Sequence, residues 1–131
     1  MEFKLEATFK ATAKQIYKSW LSTQGHTKMT GGTAFVSDKI GDTFKVWDGY
    51  ITGENISLEP YHKIVQSWRS TNFNEDEDDS QIEVTLAENG EITTLILRHT
   101  NVPESGEHYI KGWDEHYFKP MKTYFDFLNK N

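Results

Sequence analysis

Five histidines and twenty acidic side chains, with no cysteine, bound the chemistry open to this chain. Without thiols there are no disulfides, no thiolate metal sites and no cysteine nucleophile. His108, Glu115 and His116 fall along one stretch of helical periodicity near the C-terminus. His108 and His116 are about two turns apart, too far along a helix to share an ion without a ligand from another element. They read as solvated side chains, and neither a metal site nor a cofactor is expected. His99 differs, because it follows Leu95 and Leu97 at alternate positions, which puts all three on the inward face of a strand. A histidine there is most often a hydrogen-bonded core residue. In a functional role it would orient a polar atom of a ligand, or act as an acid/base. No paired carboxylate stands beside it, and Asp48, between Trp47 and Gly49, reads as a turn residue. There is no nucleophile elbow, phosphate loop, dinucleotide fingerprint, His-Glu-x-x-His or EF-hand loop. No catalytic residue is assigned.

The second informative set is aromatic. Trp20, Trp68, Trp113 and Tyr117 all fall where periodicity turns a side chain inward. Aromatics at such spacing are usually core, yet large rings from three separate elements also line cavities for flat or lipid-like ligands.

The elements that must position these residues follow from the hydrophobic pattern. Glu2–Phe9 alternates, with Phe3, Leu5, Ala7 and Phe9 on one side, as a half-buried strand does. Thr12 and Gln15 form a capping box ahead of Ala13, Ile16, Tyr17, Trp20 and Leu21, which predicts a helix over Thr12–Ser22. Thr23–Thr30 has room for one more short turn, ended by Gly31-Gly32. From Thr33 to Thr100 the signals are mostly strand: Thr33–Val36, Thr43–Trp47, Tyr50–Glu59 with a bulge expected at Gly53, Lys63–Ser70, Gln81–Glu88 and Ile92–Thr100. Asn89-Gly90 predicts a type I′ hairpin turn. Beyond Pro103, Tyr109, Trp113, Tyr117, Met121, Tyr124 and Leu128 predict one helix of about 20 residues, with a kink or break at Pro120. Strand, helix, short helix, about six strands and a long helix make an α+β domain, one antiparallel sheet with all helices on one face. A sheet curved around so long a helix leaves room between them, the natural place for a ligand.

The 131 residues suit one domain, residues 1–131. The longest apolar runs are three residues, Ala34-Phe35-Val36 and Leu95-Ile96-Leu97, so neither a membrane helix nor a signal-peptide core is expected. Met1-Glu2-Phe3-Lys4 lacks a basic leader, which makes a cytoplasmic location the default. Five of the acids are consecutive, Glu75-Asp76-Glu77-Asp78-Asp79, and without them the balance is 15 acids against 14 bases. With no basic face, a nucleic-acid partner is not expected. The acidic run reads as a solvated loop, or as a patch that docks a basic partner or holds a cation.

Gly41-Asp42-Thr43-Phe44, Asp48-Gly49-Tyr50-Ile51-Thr52-Gly53, Pro60, Ile64-Val65-Gln66-Ser67-Trp68-Arg69, then Gly112-Trp113 with Tyr117-Phe118 and Met121-Lys122 resemble the activator of heat-shock-protein-90 ATPase homologue family, from about Thr12 to Phe127. The Trp-Arg strand and the Gly-Trp of the last helix, in this order, are the specific part. The resemblance is to the C-terminal of the two domains of the eukaryotic co-chaperone. It implies membership of the START-like, birch-pollen-allergen-like superfamily. It also implies a helix-grip fold, in which a curved antiparallel sheet of six to seven strands wraps a long C-terminal helix, with two short helices after the first strand. That superfamily holds binders of lipids, polyketides and plant aromatics as well as some cyclases, and the fold does not choose among them.

Three readings follow. The first is a non-enzymatic binder of a small apolar or flat aromatic ligand. Its cavity would be lined by Trp20 of the first helix, by Phe44, Val46, Ile51, Trp68, Leu97 and His99 of the sheet, and by Trp113, Tyr117 and Met121 of the last helix. The second is an interaction protein whose partner is a heat-shock-protein-90-type chaperone. The third is a cyclase or dehydratase using His99.

Overall fold

The computed structural model describes residues 1–130; Asn131, the last residue of the expected domain, lies outside the described residues. Its elements are β1 (Phe3–Phe9), α1 (Ala13–Trp20), α2 (Thr23–Thr30), β2 (Thr43–Val46), β3 (Ile51–Glu59), β4 (Lys63–Ser70), β5 (Ser80–Asn89) and β6 (Ile92–Thr100). A helical run closes the chain: a 3₁₀ turn at Glu104–Glu107, α3 (His108–Trp113), a π segment at Asp114–Phe118, and α4 (Lys119–Leu128).

Local chemistry sets the helix boundaries. The Thr12 hydroxyl accepts from Gln15 N–H at 3.1 Å, and the Gln15 side chain accepts from Thr12 N–H at 3.0 Å, completing the expected capping box. The segment after α1 is a full eight-residue helix rather than a single turn. Ser22 caps its start, and Gly31, at φ +84°, supplies the left-handed residue that ends it.

All six strands form one antiparallel sheet, ordered β1-β6-β5-β4-β3-β2. Alternation fixes which face is inward: Ile64, Gln66, Trp68 and Ser70 of β4 are buried, and so are Thr93, Leu95, Leu97 and His99 of β6. Phe9 on edge strand β1 packs edge-on against Phe118 and Phe125. Trp47, just past the opposite edge strand β2, packs on Tyr117. Six strands laid flat at about 4.8 Å spacing would hold those edges about 24 Å apart, far wider than a helix. The sheet must therefore curve around the C-terminal helix. The core lies between them, with Phe125 and Met121 fully buried. Phe125→Ala would cost about 3–5 kcal/mol.

Four expectations need correction. Thr33–Val36 forms no strand; only Phe35 bridges Lys45. The β3 bulge lies between Asn55 and Ser57, not at Gly53. Gly53 is needed for another reason, since a side chain there would strike the Ser67 carbonyl and the Phe44 ring. The β5–β6 turn is centred one residue later than expected, on Gly90-Glu91, with Asn89 paired to Ile92. Only Gly90 of that pair has positive φ, +70°, so it has the glycine-first pattern of a type II′ turn.

The last correction concerns the long helix, which Pro120 neither breaks nor ends. Tyr109, Trp113, Tyr117, Met121 and Phe125 are buried at a constant spacing of four. On a regular helix each step of four drifts about 40° around the axis, about 160° over the set. The π segment inserts one extra residue and removes about 100° of that drift. Within it Lys119 N–H donates to the Asp114 carbonyl, five residues back. Phe125 is thereby carried into the core, while Leu128, expected inward, is left exposed.

Candidate functional site

A cavity of about 450 Å³ opens between the sheet and the first half of the C-terminal helix. The sheet side supplies Trp47, Tyr50, Ile51 and Trp68; the helix supplies Tyr109, Gly112, Trp113 and Tyr117, with His108, Lys111, Glu115 and His116 also in its wall. The walls are mainly aromatic. Trp68 meets Tyr109 edge-on at 4.9 Å between ring centres, and Trp113 lies 4.7 Å from Tyr117. Gly112 adds bare helix backbone, and a methyl group built on it would meet nothing within 4 Å.

Trp47 reaches the cavity by an unusual route. Alternation along β2 turns Val46 inward and would turn Trp47 away. Instead Trp47, Asp48 and Gly49 take φ values of +53°, +57° and +88°, and the tight turn swings the indole back over the opening. A bulky residue in the left-handed region is held only where its surroundings fix it. Here Gly32 lies flat beneath the indole, where a side chain would collide with the ring, and His116 packs on it edge-on at 5.5 Å.

Polar chains behind the walls hold the rings in place. Trp113 Nε1–H donates to His99 Nδ1 at 3.1 Å, so that nitrogen is the acceptor and Nε2–H donates to Ser80 Oγ at 2.8 Å. Ser80 in turn donates to the Trp68 carbonyl at 2.6 Å. His99 is fully buried, and burial pushes its pKa down to about 3. His26 Nδ1–H donates to the Trp20 carbonyl at 2.8 Å, leaving Nε2 to accept from the Tyr117 hydroxyl at 2.8 Å. Burial lowers His26 to about 4 and raises the Tyr117 phenol. Trp20 Nε1–H donates to Gln66 at 3.2 Å, and Gln66 donates to Asn55 at 2.8 Å. Among the described residues no buried side-chain nitrogen or oxygen lacks a partner.

Of the ten residues expected to line a cavity, Ile51, Trp68, Trp113 and Tyr117 stand in this wall. Trp20, Phe44 and Val46 border a small void of about 10 Å³ behind Trp113 and Tyr117. Trp20 stacks on Tyr117, with ring centres 5.2 Å apart. Leu97, His99 and Met121 lie in the packed core outside both linings. His99 was to orient a ligand or move a proton, but both its nitrogens are already bonded within the protein. Sequence reasoning missed Trp47, Tyr50, Tyr109 and Gly112 as wall residues. Two of them carried a local signal: Tyr109 shares the helical period of Trp113 and Tyr117, and Gly112 is a glycine inside a helical pattern. The buried histidine His26 went unread because α2 was taken for a single turn. Gln66, at an inward position of β4, was the visible hint of the buried amide chain.

The acidic segment is ordered around Arg69. Its guanidinium donates to the Asn74 carbonyl at 2.6 Å, the Glu77 carbonyl at 2.7 Å and the Asp79 carboxylate at 3.1 Å. Glu75, Asp76 and Asp78 remain exposed.

Comparison with known proteins adds three findings. The sequence model of the family described as Activator of Hsp90 ATPase homolog 1-like protein matches residues 10–126. The chain is 26% identical over 129 residues to the activator of 90 kDa heat shock protein ATPase homolog of Dictyostelium discoideum, covering 97% of this chain and 33% of that protein. It is 27% identical over 128 residues to homolog 2 of Mus musculus, covering 97% of this chain and 38% of that one. The chain thus spans about a third of the length of these curated relatives. Among solved structures, the crystal structure of an HSP90 activator from Plasmodium falciparum matches with a TM-score of 0.86, at 24% identity over 94% of each chain, a likeness of fold.

Proposed function

The chain belongs to the Activator of Hsp90 ATPase homolog 1-like family, and from that premise we propose that it is a non-enzymatic binder of a small hydrophobic or flat aromatic molecule. The observation that carries this reading is the aromatic cavity of about 450 Å³, floored by the bare backbone of Gly112. Preformed apolar concavities of this size suit small molecules. Rigid rings locked from behind lose little freedom when a ligand arrives, so burial of a flat apolar surface is left to supply affinity. The test is amide shift mapping of ¹⁵N-labelled protein against palmitate, cholesterol, flavone and anthraquinone. Saturable shifts at Trp47, Trp68, Gly112 and Trp113 are expected with the planar compounds. Silence across the panel would remove the reading.

A second reading, a co-chaperone-like partner of a heat-shock-protein-90-type chaperone, is favoured by the names of the relatives and by the exposed acidic segment that Arg69 orders. An ordered acidic patch steers a basic surface without paying to freeze a floppy loop. A pull-down with that chaperone at low salt is expected to retain the protein; failure to do so argues against this reading.

A further inference from the structure

One end of the cavity is not apolar. Tyr50, on the β2–β3 connection, and Tyr109, on α3, both stand in its wall. Beside them are Ser70, the buried last residue of β4, and Asn72, which is exposed. The Tyr109 hydroxyl and Ser70 Oγ are hydrogen bonded to each other. Asn72 N–H donates to Ser70 Oγ at 3.2 Å, and Asn72 Nδ2–H donates to the Tyr50 hydroxyl at 2.8 Å.

Counting protons shows what this cluster lacks. Three hydroxyls bring three O–H donors, and Asn72 brings three N–H donors, two of which occupy acceptor positions on Ser70 and Tyr50. The Ser70–Tyr109 bond consumes one O–H. Were the Tyr50 and Tyr109 hydroxyls, which share one wall, bonded to each other, that bond would consume a second at most. At least one O–H is left over, and among the described residues no carbonyl or carboxylate accepts from either phenol. Ser70 and Tyr109 are buried, while Tyr50 is half-open to the cavity mouth. Ser70 Oγ is buried and has no acceptor other than the Tyr109 oxygen, so its O–H goes there, and the surplus donor belongs to the two phenols that face the cavity.

We propose that the Tyr50 and Tyr109 hydroxyls form a donor pair that receives a carbonyl oxygen of the ligand, making the preferred ligands planar aromatic ketones and quinones. This rests on the ligand-binding reading above and narrows it. A carbonyl fits because it accepts and does not donate, matching a cluster with donors in excess. A carboxylate fits less well. The cation in the wall, Lys111, is paired with Glu115 at 3.6 Å and mostly exposed, so a buried anion would have no counter-charge. His108 turns its Nδ1–H to the Ser105 carbonyl at 3.2 Å. A planar hydrocarbon would fill the same walls and leave the surplus O–H unpaired.

The experiment uses two probes of nearly one shape, 9-fluorenone and fluorene, which differ by the carbonyl. Affinities are read from quenching of tryptophan fluorescence in the wild-type chain, in Tyr50→Phe, in Tyr109→Phe and in the double variant. Loss of the donors is expected to weaken fluorenone by about 3- to 10-fold and to leave fluorene within about twofold. The carbonyl stretch of bound fluorenone is expected to lie lower in wild type than in the double variant. If both probes lose affinity together, or if fluorenone binds the double variant as it binds wild type, the donor pair is overturned and the cavity reading stands. If neither probe binds wild type, the cavity reading falls and this inference falls with it. Tyr50→Phe, at the half-exposed position, carries the test alone should Tyr109→Phe unfold the chain.

Discussion

Gly112 occupies the interior of α3, where glycine costs a helix about 1 kcal/mol relative to alanine, yet a methyl group there would touch nothing. Packing therefore does not require the glycine, and the space above it is open. Gly112→Ala is expected to stabilise the fold by about 0.5–1 kcal/mol in a denaturant melt. Gly112→Leu is expected to fold while losing the planar ligands. A destabilised alanine variant would contradict the open floor. The buried histidines make a second prediction. His26 and His99 have pKa values of about 4 and about 3 in the fold, below the unfolded value of about 6.5. The unfolded chain then binds more protons below pH 6.5, so stability is complete above that pH and falls as the solution is acidified. With two such groups the slope approaches about 2.7 kcal/mol per pH unit between them. Urea melts from pH 7 to 5 should show the decline before ordinary carboxylates titrate. Nuclear magnetic resonance should show no titration of either ring over that range. A flat stability profile would mean that both rings are protonated in the fold, and half the slope that one of them is.

At the scale of elements, the C-terminal helix decides which side chains face the sheet. The spacing of four from Tyr109 to Phe125 was visible in the sequence, but it was read with the ordinary helical period, so Leu128 was placed inward and Phe125 was passed over. A spacing held at four across five positions is itself the mark of a wider turn, because a regular helix would rotate such a set off one face. Deleting Glu115 should restore the ordinary period and rotate Tyr109 and Trp113 by about 100° relative to Met121 and Phe125. The expected result is a loss of several kcal/mol or an unfolded chain, read by thermal melting. Pro120→Ala, which leaves the residue count intact, is expected to change stability by no more than about 1 kcal/mol. Comparable melts for the two variants would show that the π segment does not set the register.

On the scale of the whole molecule, the net charge of −6 resides almost entirely in one ordered segment on the surface. Arg69 holds that segment through the Asn74 and Glu77 carbonyls and the Asp79 carboxylate, not through Glu75, Asp76 or Asp78. Replacing those three with Gln, Asn and Asn should therefore leave the melt unchanged. The same variant is expected to slow association with a chaperone partner at low salt and to flatten its salt dependence. An unchanged on-rate would leave the segment as solvated surface. The alternation of β1, β4, β5 and β6, the capping box at Thr12 and the order of elements were all legible, because each depends on neighbours a few residues away. They determined a curved antiparallel sheet with helices on one face, and they turned Trp68, Trp113 and Tyr117 inward. Tertiary structure decided the rest. Trp47 enters the cavity through a left-handed turn held by Gly32, and Tyr50 and Tyr109, 59 positions apart in the chain, share one cavity wall. His99 is closed off by Ser80 and Trp113, which reach it from another strand and from the helix. Whether an inward residue faces a void or a neighbour depends on what packs opposite it, and periodicity along one segment carries no information about the opposite wall.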